Sequence, residues 1–304
     1  MTPTAAAGRQ AALLRAMPVV FVLIWSTGFV VARYAMPHAP PLSFLSVRYA
    51  LSILAFALWI GVARAAWPRN GEQWLHLSVT GVLMHAGYLG GVWAAVKGGL
   101  GAGLAALIVG LQPMLTALWV SARSNGARGA GTPRVTPLQW LGLTLGLAGL
   151  VLVVSHKLRL GEASASNVMY AVVALASITV GTLYQKRWVT ACDVRTANSV
   201  QLLAALAVTL PLALLEPAPM EWHPELMGAL AWSVLVLTLG GSSLLYLLIQ
   251  RGAATSVTSL MYLVPPCTAV LAWLLFDESL TAGVLAGLAF TAAGVALVVR
   301  NAAR

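Results

Sequence analysis

The sequence predicts an all-α integral membrane protein with ten transmembrane helices, arranged as two inverted five-helix repeats around a central cavity. Three observations support this fold class: the composition, the spacing of apolar segments, and an alignment between the two halves of the chain. Of the 304 residues, 60% are hydrophobic and only 9% are charged. A soluble domain carries roughly 25% charged residues. This chain has too few charges to cover a surface in water, so we expect the bilayer to be its solvent.

Ten apolar segments run along the chain, each close to the roughly 20 residues that a helix needs to cross a bilayer. Such segments must be helical because lipid offers the backbone no hydrogen-bond partner. Loops rich in proline, glycine or charge separate them. The predicted spans are 17–36, 42–63, 73–96, 100–122, 137–155, 167–187, 197–215, 226–249, 254–276 and 280–300.

The positions of the Lys and Arg residues predict the orientation, because cytoplasmic loops carry most of the positive charge in membrane proteins. When the ten spans alternate, most basic residues fall on the side of the N-terminus. We therefore expect both termini in the cytoplasm and the chain in a bacterial-type inner (plasma) membrane. The other side holds only Arg33, Arg48, Lys97, Lys157 and Arg159.

The two halves of the chain align without a gap at an offset of 153 residues over their first four spans. Because each unit holds five spans, an odd number, the second unit must be inserted upside down. That arrangement lets one site face either side of the membrane in turn. The matched pairs include Gly28 with Gly181, Arg48 with Gln201, Gly87 with Gly240, Trp93 with Tyr246, and Pro113 with Pro266.

The repeat predicts the organisation of the chain. Two five-helix repeats are joined by an external linker, and short cytoplasmic tails flank them. The expected parts are a tail over 1–16, the first repeat over 17–155, the linker over 156–166, the second repeat over 167–300 and a tail over 301–304.

Two further features are expected to serve packing and helix ends. The glycines of spans five and ten are expected to allow close contact between helices: Gly142, Gly146 and Gly149 in span five, and Gly283, Gly287 and Gly294 in span ten. The acidic pair Asp277–Glu278 is expected to cap the start of span ten, where free N–H groups favour negative charge.

Short motifs in both halves carry a resemblance to a known family. Ile24–Phe29, Pro41–Phe44 and Arg48–Tyr49 resemble an EamA-type unit, as do Gln112–Ala117 and Pro265–Ala269. On these motifs the chain resembles the drug/metabolite transporter superfamily, and most of all its YddG-like amino-acid and metabolite exporters. The resemblance implies a ten-helix fold with a central cavity lined mainly by spans one, three, four, six, eight and nine.

His85 is the first candidate for the site because it lies near the middle of span three. A polar ring in hydrocarbon is costly unless it faces a cavity or a partner. Tyr88, about one turn further on, shares its face. Both residues are predicted to line the cavity. The alternative is a buried His–Tyr hydrogen bond that only holds helices together.

Aromatic and polar side chains recur in the predicted cavity spans, where they would suit apolar groups and cations. In span nine they form a stripe at helical spacing. Packing, and hydrogen bonds from hydroxyls to their own backbone, are the alternative roles. The remaining predicted substrate-binding residues are Trp25, Trp93, Gln112, Tyr184, Tyr246, Ser259 and Tyr262.

Pro113, Pro265 and Pro266 interrupt equivalent spans of the two halves. A proline inside a helix leaves the carbonyl four residues earlier without its donor. Paired interruptions of this kind point to the binding site of a transporter. We predict that the three prolines act as hinges, or that they leave backbone carbonyls free to bind a substrate ammonium. The alternative is a kink that serves packing alone.

Charged groups within the spans are few. Arg48 could attract a carboxylate, or it could extend to the membrane surface and tie helix ends. No Asp or Glu lies in the middle of a span, and the chain has no phosphate-binding loop. These features favour downhill movement of a solute over coupling to ATP, with proton exchange through His85 as the second option.

The sequence therefore predicts a transporter that exports, or facilitates the diffusion of, amino acids or related small metabolites by alternating access. We expect no cofactor, no metal site and no nucleic-acid partner, and a monomer in the lipid bilayer. The alternative is a multidrug exporter of lipophilic cations. A far weaker alternative is an intramembrane enzyme, since Gly240–Ser243 faintly resembles a rhomboid-type serine motif with His85 as its base.

Overall fold

The computed structural model describes residues 3–124, 136–161, 163–244, 261 and 263–302. Every regular element in these ranges is a helix, as the sequence predicts. The helix α1 begins at Pro3, although the sequence analysis assigns residues 1–16 to a tail. The helices are α1 (Pro3–Ala35), α2 (Pro41–Ala63), α3 (Gly71–Lys97), α4 (Ala102–Val109 with Gln112–Ser124), α5 (Pro137–Arg159), α6 (Ala165–Trp188), α7 (Val194–Ala213), α8 (Pro224–Ser242), α9 (Val264–Phe276) and α10 (Ala282–Ala302).

Seven of these helices, α2 through α8, are long and apolar enough to cross a membrane. Three shorter apolar helices cover Val19–Ala35, Val264–Phe276 and Ala282–Val298. Each of the three lies where the sequence predicts a span. Residues 254–260 and 262 of predicted span nine lie outside the described residues. The count of ten spans therefore stays a prediction.

Local capping explains where two of the long helices begin. Thr136 and Gln139 form a capping box at the start of α5, in which each side chain accepts a hydrogen bond from the other's backbone N–H. Ser164 and Asn167 form the same box before α6. These bonds satisfy N–H groups that have no partner within the helix, so the helices start beside the predicted breakers.

The packing role predicted for the glycines of spans five and ten is found where α5 lies against α10, but not at Gly283, where a Cβ would meet only Thr281 Oγ1 at 3.9 Å. A Cβ added to Gly142 would lie 2.6 Å from the carbonyl oxygen of Gly294. A Cβ added to Gly149 would lie 2.6 Å from the carbonyl oxygen of Gly287. Side chains at these positions would push the two backbones apart. The paired residues also show that the two helices cross in opposite directions.

One end of the bundle, which we call the glutamate end, is held together by carboxylates from the second half of the chain. Glu216, just beyond α7, accepts hydrogen bonds from the backbone N–H groups of Leu42 (3.0 Å) and Ser43 (2.7 Å) and from the Ser43 hydroxyl (2.8 Å). It thereby caps α2, whose own N-cap residue is Pro40 and provides no side-chain bond.

Glu278 plays the same role for α4, and the prediction that it caps span ten is wrong. Its carboxylate accepts from the backbone N–H groups of Ala102 (2.8 Å) and Gly103 (3.3 Å). The reason is tertiary: the end of α9 lies beside the start of α4. The start of α10 is served by Thr281, whose hydroxyl accepts from the N–H of Val284.

The opposite end of the bundle includes the start of α7, where Asp193 is the N-cap. Its carboxylate accepts from the Arg195 backbone N–H at 2.9 Å and lies 2.6 Å from Nη2 of the same residue. The hydrogen bond from the Arg195 side chain lowers the pKa of Asp193 below its ordinary value. Asp193 thus caps α7 from within the same half of the chain.

Candidate functional site

Two helices contain π-helical segments, in which backbone hydrogen bonds span five residues instead of four. The segment in α3 covers Val82–Gly87 and includes His85. The segment in α8 covers Ser233–Ser242 and includes Thr238. At the offset of 153 residues, His85 corresponds to Thr238. π-Helical turns are rare and frequently occur at functional sites, so these segments locate the candidate site.

Arg48 of α2 is buried against the second of these segments. Its side chain is only 6% exposed, and its Nε and Nη2 donate to Thr238 Oγ1 at 3.3 and 3.1 Å. The Thr238 hydroxyl donates in turn to the carbonyl of Ser233 at 2.8 Å. The guanidinium therefore does not extend to the membrane surface, which was one of the two roles open from the sequence.

The charge of Arg48 has no acidic partner in the described ranges. The ion pairs found there lie near helix ends and involve other residues. The stretch between α8 and α9 that is not described, residues 245–260 and 262, contains no Asp or Glu. Glu162, also outside the description, belongs to the connection between α5 and α6.

His85 lies in a second polar contact, formed with Gln201 of α7. The two side chains are within hydrogen-bonding reach. The backbone of Gln201 packs directly on Gly81, where any added Cβ would collide with it. Tyr49 donates to the His85 carbonyl at 2.8 Å, and its ring meets the imidazole edge-on at 6.0 Å. The His85 side chain is therefore surrounded by polar groups from two other helices.

Tyr88 connects this polar region to a recess in the bundle. It is buried, and the Trp25 indole lies within hydrogen-bonding reach of it. Trp25 also lines the recess, which is narrow and leaves about 10 Å³ of open space. Its walls come from α1, α4, α6 and α9 and are mostly apolar: Trp25, Phe29, Ala106, Val109, Gly110, Gln112, Pro113, Ile178, Met261 and Val264.

The predicted proline hinges lie next to this recess. Pro113 follows the break in α4, which separates Val109 from Gln112, and it lines the recess. Pro265 and Pro266 form the first turn of α9 and line a narrow crevice together with residues of α4 and α10. A Cβ added to Gly110 would lie 2.5 Å from Pro265 Cγ, so the two interruptions meet.

Other predicted site residues lie elsewhere. Tyr184 accepts or donates a hydrogen bond of 2.7 Å with His76 Nδ1, near the end of α6 that carries Trp188. Trp93 is 1% exposed and stacks on Phe44 with ring centroids 4.3 Å apart. Neither residue lines the recess. Tyr246, Ser259 and Tyr262 lie outside the described residues.

The fold also brings together three possible metal ligands that the sequence analysis does not connect. His38, His223 and Glu225 have ligand atoms within 4.8 Å of one another at the glutamate end. His38 Nε2 lies 3.1 Å from Glu225 Oε2, and the two imidazoles stack. The sequence predicts no metal site because it has no CxxC motif or His/Cys cluster, and His38 is far from the other two residues along the chain.

Sequence reasoning missed the contacts that join the site. Thr238, Tyr49 and Gln201 were not candidates, and the burial of Arg48 was not foreseen. One signal existed: the repeat alignment pairs Arg48 with Gln201. Extending the same offset pairs His85 with Thr238, so the two polar contacts are equivalent between the halves.

Comparisons with known proteins agree with this architecture. A model of the EamA-like transporter family matches residues 16–155 and again residues 165–300. The "Uncharacterized transporter YvbV" of Bacillus subtilis is 27% identical, with 91% of this chain and 88% of the relative covered. A "Probable amino-acid metabolite efflux pump" of Salmonella typhimurium is 25% identical, with 92% of each chain covered.

A solved structure described as "Crystal structure of protein" superimposes with a TM-score of 0.66. The alignment covers 95% of this chain and 98% of the other, at 19% sequence identity, and shows a shared fold. Together with the apolar helices and the two family matches, it leaves one conclusion. The chain is a membrane protein that belongs to the EamA-like transporter family.

Proposed function

We propose that this protein moves amino acids or related small metabolites across the inner membrane by alternating access between two inverted five-helix halves. One observation carries the proposal: contacts between the halves are reciprocal. Arg48 meets Thr238, and their counterparts at the offset of 153 residues, Gln201 and His85, meet each other. Reciprocal contacts of this kind are those expected across a two-fold axis.

Glycine contacts follow the same rule. Gly181 packs on Met84, and its counterpart Gly28 packs on Leu237, the counterpart of Met84. The antiparallel crossing of α5 and α10 supports an axis in the membrane plane, because two equivalent helices then run in opposite senses. Such an axis allows one central site to open to either side in turn.

The sidedness of the proposal follows from the basic residues. With the N-terminus in the cytoplasm, the glutamate end lies outside. Glu216 and Glu278 then close the outer side by capping helices of the first half. Outward opening would require these carboxylates to leave helix starts, where they are stabilised by the free N–H groups.

The recess supports a small substrate with an apolar part. Its open space of about 10 Å³ is far below the volume of typical ligand pockets, so alternating access would have to widen it for a substrate. Trp25 and Gln112 contribute an aromatic face and an amide, and Tyr88 lies next to Trp25. The name of the Salmonella relative as a probable amino-acid metabolite efflux pump agrees with this class.

Arg48 argues against the alternative, a multidrug exporter of lipophilic cations. Its uncompensated positive charge would repel a cation, since a charge at low dielectric is only weakly screened. An intramembrane enzyme is disfavoured by the membership of a transporter family. Labelling by a serine-directed fluorophosphonate would reverse that judgement.

A flux assay in proteoliposomes tests the proposal. Radiolabelled amino acids would be supplied one at a time, with and without a pH gradient, to wild type and to His85→Ala. We expect uptake of at least one amino acid by wild type and a several-fold loss in the variant. Uptake that equals empty vesicles for every amino acid would refute the substrate class.

A further inference from the structure

We infer that Arg48 binds the carboxylate of the transported solute and thereby selects solutes with a carboxylate over their neutral and cationic analogues. The inference rests on the proposed function and specifies its substrate. It follows from the burial of the guanidinium, from its unfilled hydrogen-bonding capacity and from the neutral residue at the equivalent place in the second half.

The buried positive charge of Arg48 needs a partner. A guanidinium stays protonated in proteins, and a charge buried within a membrane protein is expected to have a counter-charge or to mark a ligand pathway. Arg48 has no acidic partner in the described ranges, and the adjoining residues 245–260 and 262 contain no acid. A counter-anion therefore has to come from outside the chain.

The hydrogen-bonding capacity of Arg48 is only partly used in the described part of the chain. A guanidinium offers five N–H donors in a planar fork. In the described part of the chain, the bonds from Arg48 both go to Thr238 Oγ1, one by Nε and one by Nη2. Within the described ranges its other donors have no hydrogen-bond acceptor, and two carboxylate oxygens are the acceptors that match the fork.

The position of Arg48 also supports the inference. Arg48 adjoins Tyr49 on α2, and the Tyr49 hydroxyl donates to the carbonyl of His85 at 2.8 Å. Tyr88 lies about one turn beyond His85 on α3 and is close to Trp25, which lines the recess. Aromatic residues of α1, α2 and α3 thus connect the region of the guanidinium to the recess.

The counterpart of Arg48 in the second half distinguishes a binding role from a structural one. Gln201 fills the place in α7 that corresponds to Arg48 in α2, and it makes the equivalent contact with His85. A neutral amide therefore satisfies the packing of this arrangement. The positive charge of Arg48 is not needed for this packing. Because only one half of the chain carries it, it would bind one carboxylate rather than two.

Wild-type protein alone gives the first test. L-phenylalanine, L-phenylalaninamide and 3-phenylpropionate would be titrated into the purified protein while the intrinsic tryptophan fluorescence is recorded. We expect both carboxylates to bind at least about tenfold more tightly than the amide, as for the loss of a charge-assisted hydrogen bond. Equal affinity for the amide would overturn the inference.

Variants give the second test, in the same titration and in proteoliposome flux. Arg48→Gln copies the residue of the second half and should weaken carboxylate binding at least about tenfold. Arg48→Lys keeps the charge without the fork and should fall between the two. Arg159→Gln, which changes an exposed arginine, is the matched control and should bind like wild type.

Further outcomes distinguish the possible failures. If Arg48→Gln unfolds, the wild-type comparison of acid and amide still decides. If wild type transports no amino acid but binds 3-phenylpropionate in an Arg48-dependent way, the substrate proposal fails and the anion site stands. Chloride that displaces 3-phenylpropionate at equal concentration would overturn the inference, because the site would then hold a simple inorganic anion.

Discussion

The two equivalent polar contacts of this transporter share a framework but differ in charge. Arg48 reaches from α2 into the π-helical segment of α8, and Gln201 reaches from α7 into that of α3. One contact carries an unbalanced cation and the other a neutral amide. The difference teaches that the framework common to the two halves supplies the geometry, whereas single residues within it supply the chemistry.

The two contacts also differ in the residue that lies at the helix crossing. Gly81 allows the backbone of Gln201 to touch α3, where any Cβ would collide with it. The residue equivalent to Gly81 in the second half is Val234, which is buried. The second crossing therefore has a side chain where the first has none.

The largest expected effect comes from making the two contacts alike. Gln201→Arg would bury a second cation without a partner, and we expect a loss of about 3 kcal/mol in stability. Thermal unfolding in detergent would show it as a lower midpoint. Gln201→Met, of similar size and without charge, is the control and should lose about 1 kcal/mol with the His85 contact. A Gln201→Arg protein as stable as wild type would break the comparison.

A smaller effect is expected from loosening the close crossing. Gly81→Ala places a Cβ against the Gln201 backbone, so α3 and α7 must separate at a cost of about 2 kcal/mol. Gly61→Ala in α2 is the control, because a Cβ there meets nothing within 4 Å. We expect unfolding midpoints to fall for the first variant and to stay or rise for the second. Equal midpoints would show that the crossing tolerates a side chain.

The smallest effect concerns how the two helices are capped. Asp193 caps α7 locally, whereas α2 begins at Pro40 and relies on Glu216 from the other half. Asp193→Asn keeps the cap but removes the charge that Arg195 stabilises, so we expect a loss of about 0.5 kcal/mol at pH 7.

The pH dependence of this variant checks the cause. The folded pKa of Asp193 lies below its ordinary value of 3.8. Its contribution is therefore complete above pH 3.8 and is lost as the pH falls through the lower folded pKa. Unfolding midpoints of wild type and Asp193→Asn should converge in that acidic range. A gap that widens as the pH falls would contradict the assignment.

The sequence predicted the helices well because lipid imposes a length and an apolar composition on every spanning segment. It also predicted the close packing at Gly142 and Gly149, since a repeated small residue on one helix face has few other roles. It failed for Glu278, because a helix start can be capped by a residue that is distant in sequence, and α4 begins beside the end of α9.

The candidate site was predicted only in part. Trp25, Gln112 and Pro113 line the recess and Tyr88 lies next to Trp25, as polar and aromatic residues within spans suggested, whereas His85 meets Gln201 and Tyr49. Trp93 and Tyr184 were equally plausible from their residue type. Whether an aromatic ring faces a cavity or the core depends on the rotation of its helix, which neighbouring helices decide.

By itself, the sequence determined that this chain lies in a membrane, folds as helices and repeats its pattern in two halves. Those properties depend on composition and on periods along one chain. Only the tertiary structure decided that Arg48 is buried against Thr238 and that His85 meets Gln201, because those contacts join residues far apart along the chain. Charge burial is a property of the packed bundle, since the same arginine at a lipid-facing helix end would have extended to water.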